Sequence, residues 1–347
     1  MQQPPQAQKI LVIKLRAIGD VLLSTVVLAD LHAAYPAAQI DMLTERLSGD
    51  VLAGNPELSS VIVFDAKRES SFSLLRRIRR RRYDLVIDLF GNPRSALIAL
   101  GSGAGVRVGY RFGWRRWCYT NVIEPRGGEV HNTEFNLDAL RALGIPIRSR
   151  TVTFPIDADA DGRAERFFRE SGLDGRFVVA LNPGGGWSSK RWGARQYAAL
   201  GEMLAGEWNA EVVVLWGPGE REEAEAIRSA MPRSCRLIPP SSLKELAAIL
   251  RRCSLLVTND SGPMHIAAAI GMPVVALFGP TRPELQGPFD TPHVIVQNHR
   301  LLCLGCNLTI CPIGNPCMTE LSPLEVAEAC RAFADRNHLL QEQGMIT

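Results

Sequence analysis

Two doubly wound α/β domains in tandem are the fold class that the sequence predicts, and three observations predict it. The chain has 347 residues, more than twice the ~150 of an average domain. Short β-rich apolar runs alternate with segments that carry apolar residues at helical spacing, the pattern of βαβ units and a mostly parallel sheet. The loops behind several of these runs are small, polar and rich in glycine, as expected where ligands meet the carboxyl ends of strands. The expected division is residues 1–172, residues 173–325, and a closing helix and tail over 326–347 that packs back on the first domain.

In the first half, residues 9–15 (KILVIKL) read as a strand that stops at Arg16-Ala17-Ile18-Gly19-Asp20, and 21–34 carry apolar residues at helical spacing up to Pro36. Residues 39–43, 61–64 and 84–89 are further short apolar runs bounded by turn residues. Between two of them lies 70–82, with arginine at 76, 77, 79, 80, 81 and 82. The polar stretch 157–175 separates the halves and contains a short helix. In the second half, strands at 176–181, 211–215, 255–258 and 273–278 alternate with helical patterns at 194–207, 243–251 and 263–270. Pro263 sits at a tolerated helix start, and Ser322-Pro323 open a closing helix that runs to Arg336.

Hydrophobic residues make up 46% and charged residues 22%, which excludes a disordered, collagen-like or coiled-coil chain. The net charge of +3 is too small for a general nucleic-acid coat, and no nucleic-acid partner is expected. It is unevenly spread: 24 basic against 19 acidic residues in 1–172, and 15 against 17 in 173–347. The first half therefore suits acidic partners. No secretory signal opens the chain, and its longest uncharged stretch, 261–281, is broken by glycines and prolines. A cytoplasmic protein without a membrane span is expected.

The chemistry is expected in the strand-end loops. The loop 182–189 (NPGGGWSS) offers Asn182, Gly184 and Gly185, whose backbone N–H groups approach an anion closely. Lys190 follows with a compact positive charge, although the spacing is not that of a Walker A loop. An ordinary tight turn is the plain alternative. The loop 259–265 (NDSGPMH) opens a helix, where free N–H groups favour an anion and Ser261 and His265 add donors. Simple capping by Asp260 or Ser261 is compatible with that role. The turn 216–220 (WGPGE) brings Glu220 to a strand end, to accept ribose hydroxyls or to face a helix dipole. Asp20, at the start of the first helix, is an N-cap or a general base, and spacing alone does not choose.

The residues Ile13-Lys14-Leu15-Arg16-Ala17-Ile18-Gly19-Asp20-Val21, Asn182-Pro183-Gly184-Gly185 with Lys190-Arg191-Trp192, Trp216-Gly217-Pro218-Gly219-Glu220 and the run from Thr258 to Ala269 stand in a fixed order. With Phe278-Gly279-Pro280-Thr281, this ordered set resembles the ADP-heptose:lipopolysaccharide heptosyltransferases, glycosyltransferase family 9. The Lys-Arg-Trp and Asn-Asp-Ser-Gly forms look closest to the heptosyltransferase II branch. The resemblance implies a GT-B fold, two Rossmann-like domains facing a cleft, the first for acceptor and the second for nucleotide sugar. It implies an inverting transfer from ADP-heptose that requires no cofactor and no catalytic metal. Asp20 is then the general base. Lys190, the Ser261 and Gly262 amides and His265 meet the leaving diphosphate, Glu220 holds the ribose, and Asp260 holds sugar hydroxyls or orders its loop. The acceptor is a lipid A-linked core sugar bearing phosphates and carboxylates. Arg16, Arg76, Arg79, Arg80, Trp114, Arg115 and Arg116 are candidates for that acceptor or for the cytoplasmic face of the inner membrane, with a solvated helix face as the plain alternative for the arginine run.

Cys303, Cys306, Cys311 and Cys317 form a compact cluster that this chemistry does not need. Four thiolates can close a structural zinc site, but the spacing lacks paired C-x2-C units, and free or redox-active thiols are the preferred reading. Two other functions compete with the transferase: a nucleotide-sugar epimerase of the same fold, and a non-catalytic binding module of envelope assembly. A dehydrogenase is disfavoured, since no G-x-G-x-x-G follows the first strand.

Overall fold

The computed structural model describes residues 4–126, 128–231 and 235–340. The chain divides into two compact units, residues 1–155 and 156–347. In the first, β1 (Lys9–Ile13), β2 (Gln39–Glu45), β3 (Ser60–Phe64), β4 (Leu85–Asp88), β5 (Val106–Tyr110) and β6 (Asn121–Ile123) form one parallel sheet. Its strand order is β3-β2-β1-β4-β5-β6. The apolar run of β1 is continuous because the strand is paired on both sides and Ile10 to Ile13 are fully buried. The helices are α1 (Ile18–Ser24), α2 (Leu28–Ala34), α3 (Gly49–Leu52), α4 (Ser71–Arg81), α5 (Pro93–Gly101) and α6 (Asn132–Ala142).

The helical pattern at 21–34 is not one helix. A 3₁₀ turn at Thr25–Val27 separates α1 from α2. Ser24 donates to the Val21 carbonyl (2.7 Å) and Thr25 to the Leu22 carbonyl (2.8 Å), and such back-bonding draws a helix away from regular α geometry. The arginine-rich segment is a helix capped by Ser70, which accepts from the Ser73 amide (3.1 Å). It ends at Arg82 in the left-handed region (φ 54°).

The second unit opens with α7 (Ala158–Glu170). Its sheet holds β7 (Val178–Asn182), β8 (Glu211–Val214), β9 (Cys235–Leu237), β10 (Leu255–Asn259), β11 (Val274–Leu277) and β12 (His293–Val296), in the order β12-β11-β10-β7-β8-β9. The helices α8 (Ala194–Trp208), α9 (Arg221–Ala230), α10 (Leu243–Arg251), α11 (Gly262–Ala269), α12 (Pro283–Gln286), α13 (Pro316–Thr319) and α14 (Pro323–Arg336) complete it. Counted from its own first strand, this is the strand order of the first sheet, 3-2-1-4-5-6.

Two observations move the expected boundaries. The helix α7 belongs to the second unit, where Asp161 pairs with Arg251 (2.7 Å) and Arg252 (3.3 Å) of the α10 segment. The closing helix α14 buries Val326, Cys330 and Phe333 in one core with Leu200, Leu204 and Trp208 of α8, and Arg331 grips Glu207 with two bonds of 2.7 and 2.8 Å. The sequence reading also passed over β5, β6, β9 and β12. Each is short: Arg107 and Arg236 interrupt β5 and β9, and β6 and β12 begin on the polar Asn121 and His293.

Candidate active site

In each sheet the chain reverses its winding between two central strands, β1 and β4 in the first unit and β7 and β10 in the second. Loops at the carboxyl ends of such strands are where open α/β sheets bind ligands.

In the second unit, Asn182 ends β7 and donates its Nδ2 to Thr258 Oγ1 and to Ser261 Oγ, both at 2.8 Å. That ties the glycine loop to the loop behind β10. Asn259, fully buried, adds a second tie through Nδ2 to the carbonyls of Pro183 (2.6 Å) and Gly184 (3.2 Å), and accepts from Tyr197 (3.0 Å). Asp260 is 4% exposed and its Oδ2 receives both Lys190 Nζ and Thr281 Oγ1 at 2.6 Å. Lys190 also lies over the Trp187 ring, 4.4 Å from its centre. Ser261 is extended (φ −158°), Gly262 and Pro263 open α11, and His265 is buried in the first turns of that helix.

Glu220 clamps the glycine loop. Its carboxylate accepts from the amides of Gly217 (2.9 Å) and Gly185 (3.3 Å) and pairs with Arg191 (3.3 Å). A Cβ on Gly184 would lie 2.6 Å from Glu220 Oε2, so a side chain here would have to displace the carboxylate from its bonds. Arg191 donates back to the Gly185 carbonyl (3.0 Å).

In the first unit, Asp20 lies in the first turn of α1, where Ala17 and not Asp20 is the N-cap residue. Its Oδ1 accepts from Asn132 Nδ2 at 2.6 Å and its Oδ2 from the Ala17 amide at 3.2 Å. Beside it, Lys14 is 5% exposed and donates to the Leu89 carbonyl (3.0 Å) and to Asn136 Oδ1 (3.3 Å). Burial pulls the Lys14 ammonium below its ordinary pKa, against the opposing pull of Asp20 and Asp88. Asp88, fully buried, accepts from the amides of Phe90 (3.0 Å) and Gly91 (2.9 Å) and from Tyr119 (2.7 Å). Burial raises its pKa, and these bonds offset part of the rise.

The sequence model of glycosyltransferase family 9 (heptosyltransferase) matches residues 71–313. The chain belongs to glycosyltransferase family 9. The lipooligosaccharide heptosyltransferase 2 of Haemophilus influenzae is 29% identical over 312 residues, 83% of this chain and 88% of the relative. The lipopolysaccharide heptosyltransferase 3 of Escherichia coli is 30% identical over 285 residues, 77% of this chain and 81% of the relative. Among solved structures, the ADP-heptose lipopolysaccharide heptosyltransferase II of E. coli superposes with a TM-score of 0.78 at 25% identity, covering 96% of this chain and 99% of that one. The fold is accordingly GT-B, and the protein is a glycosyltransferase.

The remaining sequence candidates of this glycosyltransferase fall into two groups. Arg79 and Arg115 are tied to its own backbone: Arg79 donates to the Gly101 carbonyl (3.3 Å), Arg115 to those of Gly91 (2.7 Å) and Phe112 (2.9 Å). Arg16, Arg76, Arg80, Trp114 and Arg116 are exposed. The four cysteines of the 303–317 loop are free thiols, Cys303 and Cys306 exposed and Cys317 buried. Among the described residues, no three His, Cys, Asp or Glu side chains are grouped to hold a metal ion. The same loop is bonded to the loops behind β7 and β11, through Ser189 to the Leu308 carbonyl (2.7 Å) and through the Asn307 amide to the Pro280 carbonyl (2.6 Å).

Sequence reasoning gave no role to Lys14, Asp88, Asn132, Asn136, Asn259 or Thr281. Lys14 and Asp88 carried a usable signal, since each is a charge set at the end of a buried central strand. Asn132 and Asn136 carried none, because they reach the site from a helix far away in the chain.

Proposed function

We propose that the enzyme transfers heptose from ADP-heptose to a lipopolysaccharide core acceptor, with inversion at the anomeric carbon. Support comes from the relatives, which are named heptosyltransferases and match over most of their length. The observation that carries the reading furthest is the meeting of Lys190, Asp260 and Thr281 where the second sheet reverses its winding.

The acceptor hydroxyl oxygen forms a bond to the anomeric carbon while the bond from that carbon to the β-phosphate oxygen breaks. The hydroxyl proton passes to Asp20 and ADP departs. Asn132 positions the Asp20 carboxylate for that task. An ammonium has three N–H donors, so Lys190 can hold Asp260 and still donate to diphosphate oxygens. The N–H groups at the start of α11 and the His265 side chain meet the same developing charge. Asn182, Gly184 and Gly185 shape the loop on which the diphosphate rests. Glu220 keeps acceptor capacity for a ribose hydroxyl beyond the three bonds it already takes. Asp260 orders its loop and faces the sugar hydroxyls. The phosphates and carboxylates of a lipid A-linked core suit the first unit, which carries 21 basic and 14 acidic residues over 1–155. The enzyme then works at the cytoplasmic face of the inner membrane. Among the described residues, no helix is long and apolar enough to cross a membrane.

Titration with ADP-heptose and with GDP-, UDP- and dTDP-sugars, followed by transfer to a heptose-deficient core acceptor, tests the proposal. ADP-heptose is expected to bind at least tenfold more tightly than the other sugar nucleotides, and to be consumed only when acceptor is present. Preference for a non-adenine nucleotide, or isomerisation of the sugar without acceptor, would overturn it.

A further inference from the structure

The first unit has one flank that the proposed chemistry does not use, built from α4, α5 and the 3₁₀ turn Gly113–Cys118. The three elements lie side by side. Leu75 of α4 packs so close to α5 that a Cβ on Gly101 would sit 2.7 Å from its Cδ1. Arg115 of the turn bonds the Gly91 carbonyl just before α5.

Each element turns large apolar side chains outward. On α5, Leu97 and Leu100 are 52% and 46% exposed, three residues apart on one helical face. On the turn, Trp114 and Trp117 are 53% and 72% exposed, and side chains three apart in a 3₁₀ helix align on one side. On α4, Phe72 is 77% exposed and shares a stripe with Arg76, Arg79 and Arg80. Charge is interleaved with these rings. Arg116 lies 4.5 Å over the Trp117 ring. Among the described residues, no carboxylate pairs with Arg76, Arg80, Arg82 or Arg116, whereas Arg77 and Arg81 are held by Glu69 and Asp41.

A solvated helix face explains the arginines alone, but it does not explain bare leucine, phenylalanine and tryptophan on the three elements beside them. Large apolar side chains exposed on neighbouring elements mark an interaction site. Tryptophan settles at the boundary between lipid and water, and unpaired arginine is drawn to anionic headgroups. We propose that this flank is a docking face for an anionic lipid bilayer, with the aromatic and leucine side chains entering the headgroup region and Arg76, Arg80 and Arg116 meeting lipid phosphates. For its purpose, delivery of a lipid-linked acceptor, the inference rests on the proposed function. For its chemistry it does not.

Flotation of the purified full chain with vesicles of phosphatidylcholine alone, or of phosphatidylcholine mixed with phosphatidylglycerol, tests it. Binding is expected only to the anionic vesicles, weakening as salt is raised, with a blue shift of tryptophan emission. Arg76→Glu with Arg80→Glu, and separately Trp114→Ser with Trp117→Ser, should each lower vesicle affinity about tenfold or more. Their melting temperatures should stay unchanged, because the altered side chains are exposed. In both double variants the loss of transfer should be about tenfold or more larger with acceptor in anionic vesicles than with acceptor in detergent. Equal binding to neutral and anionic vesicles, no binding, or wild-type binding by both variants would overturn the docking face, and absence of binding would point to a protein partner. A wild-type enzyme that binds anionic vesicles but transfers no heptose in any presentation would sink the proposed function and leave the docking face standing.

Discussion

In the second unit the candidate site is assembled from loops that each carry a visible signature. Lys190, Asp260, Glu220 and Asn182 all stand directly behind strands, in glycine- or serine-rich turns. In the first unit, Asp20 is held by Asn132, 112 residues away, and Lys14 by Asn136, 122 residues away. The bulk charges differ too. Residues 1–155 hold 21 basic and 14 acidic side chains, a net of +7, and residues 156–347 hold 18 and 22, a net of −4. The unit assigned to the diphosphate is therefore the acidic one. The lysine and arginine beside its glycine loop are already paired, Lys190 with Asp260 and Arg191 with Glu220 and Glu223. Under the proposed function, anion binding there comes from backbone N–H groups and spare lysine donors, not from net charge. The first unit differs, with a net basic charge, a buried Lys14 bonded to the Leu89 carbonyl, and a buried Asp88 bonded to Tyr119.

If that division of labour holds, substitutions in the two units should fail differently. The largest effect is expected from Asp20→Ala, which should lower the transfer rate by ~10²–10⁴-fold, the usual contribution of a positioned base. Asn132→Ala should follow with a smaller loss of kcat, since it removes a partner of the base and not the base. Initial-rate assays at saturating donor read both.

Lys190→Ala should lower kcat by about 10²-fold through loss of charge stabilisation on the leaving group. It should also lower stability by about 3 kcal/mol, because Asp260 stays buried without its cation. Chemical denaturation separates the two effects. Gly184→Ala should cost ~1–3 kcal/mol by forcing a methyl group against Glu220, and should weaken donor binding without altering the response to acceptor. The smallest effect concerns the cysteine loop. Burial pushes the Cys317 thiol up to about 11, and the neighbouring Cys303, Cys306 and Cys311 add to the rise. Mass spectrometry after alkylation near neutral pH should find Cys303 and Cys306 modified first and Cys317 last, its labelling rising only as pH approaches that value.

The same contrast explains what was legible in the sequence. Strands buried on both sides, such as β1 and β10, announce themselves as unbroken apolar runs, and their end loops carry the turn chemistry that marks a site. The edge-ward strands β5, β6, β9 and β12 were hidden, because each is short and carries a polar residue. The helical run at 21–34 concealed its own break, since Ser24 and Thr25 act through side-chain bonds that periodicity does not report. Asp20 stood out beside Gly19, yet whether it caps the helix was not readable: the carboxylate serves the Ala17 amide from the first turn of α1 and is not itself the N-cap. Asn132 and Asn136 became visible only when folding brought α6 against α1 and β1. The opposed charge of the two halves was already legible as +5 and −2, and placing α7 with the second unit widens it to +7 and −4.

The central claim, that one unit holds the donor and the other supplies the base, is tested most directly by calorimetric titration of ADP-heptose into the wild type, Asp20→Ala and Lys190→Ala under the same conditions. The account predicts wild-type affinity for Asp20→Ala, with transfer lowered ~10²–10⁴-fold, and a loss of about tenfold or more for Lys190→Ala, one diphosphate contact being worth ~1.5–3 kcal/mol. A loss of donor affinity in Asp20→Ala as large as that in Lys190→Ala, or full transfer activity in Asp20→Ala, would contradict it.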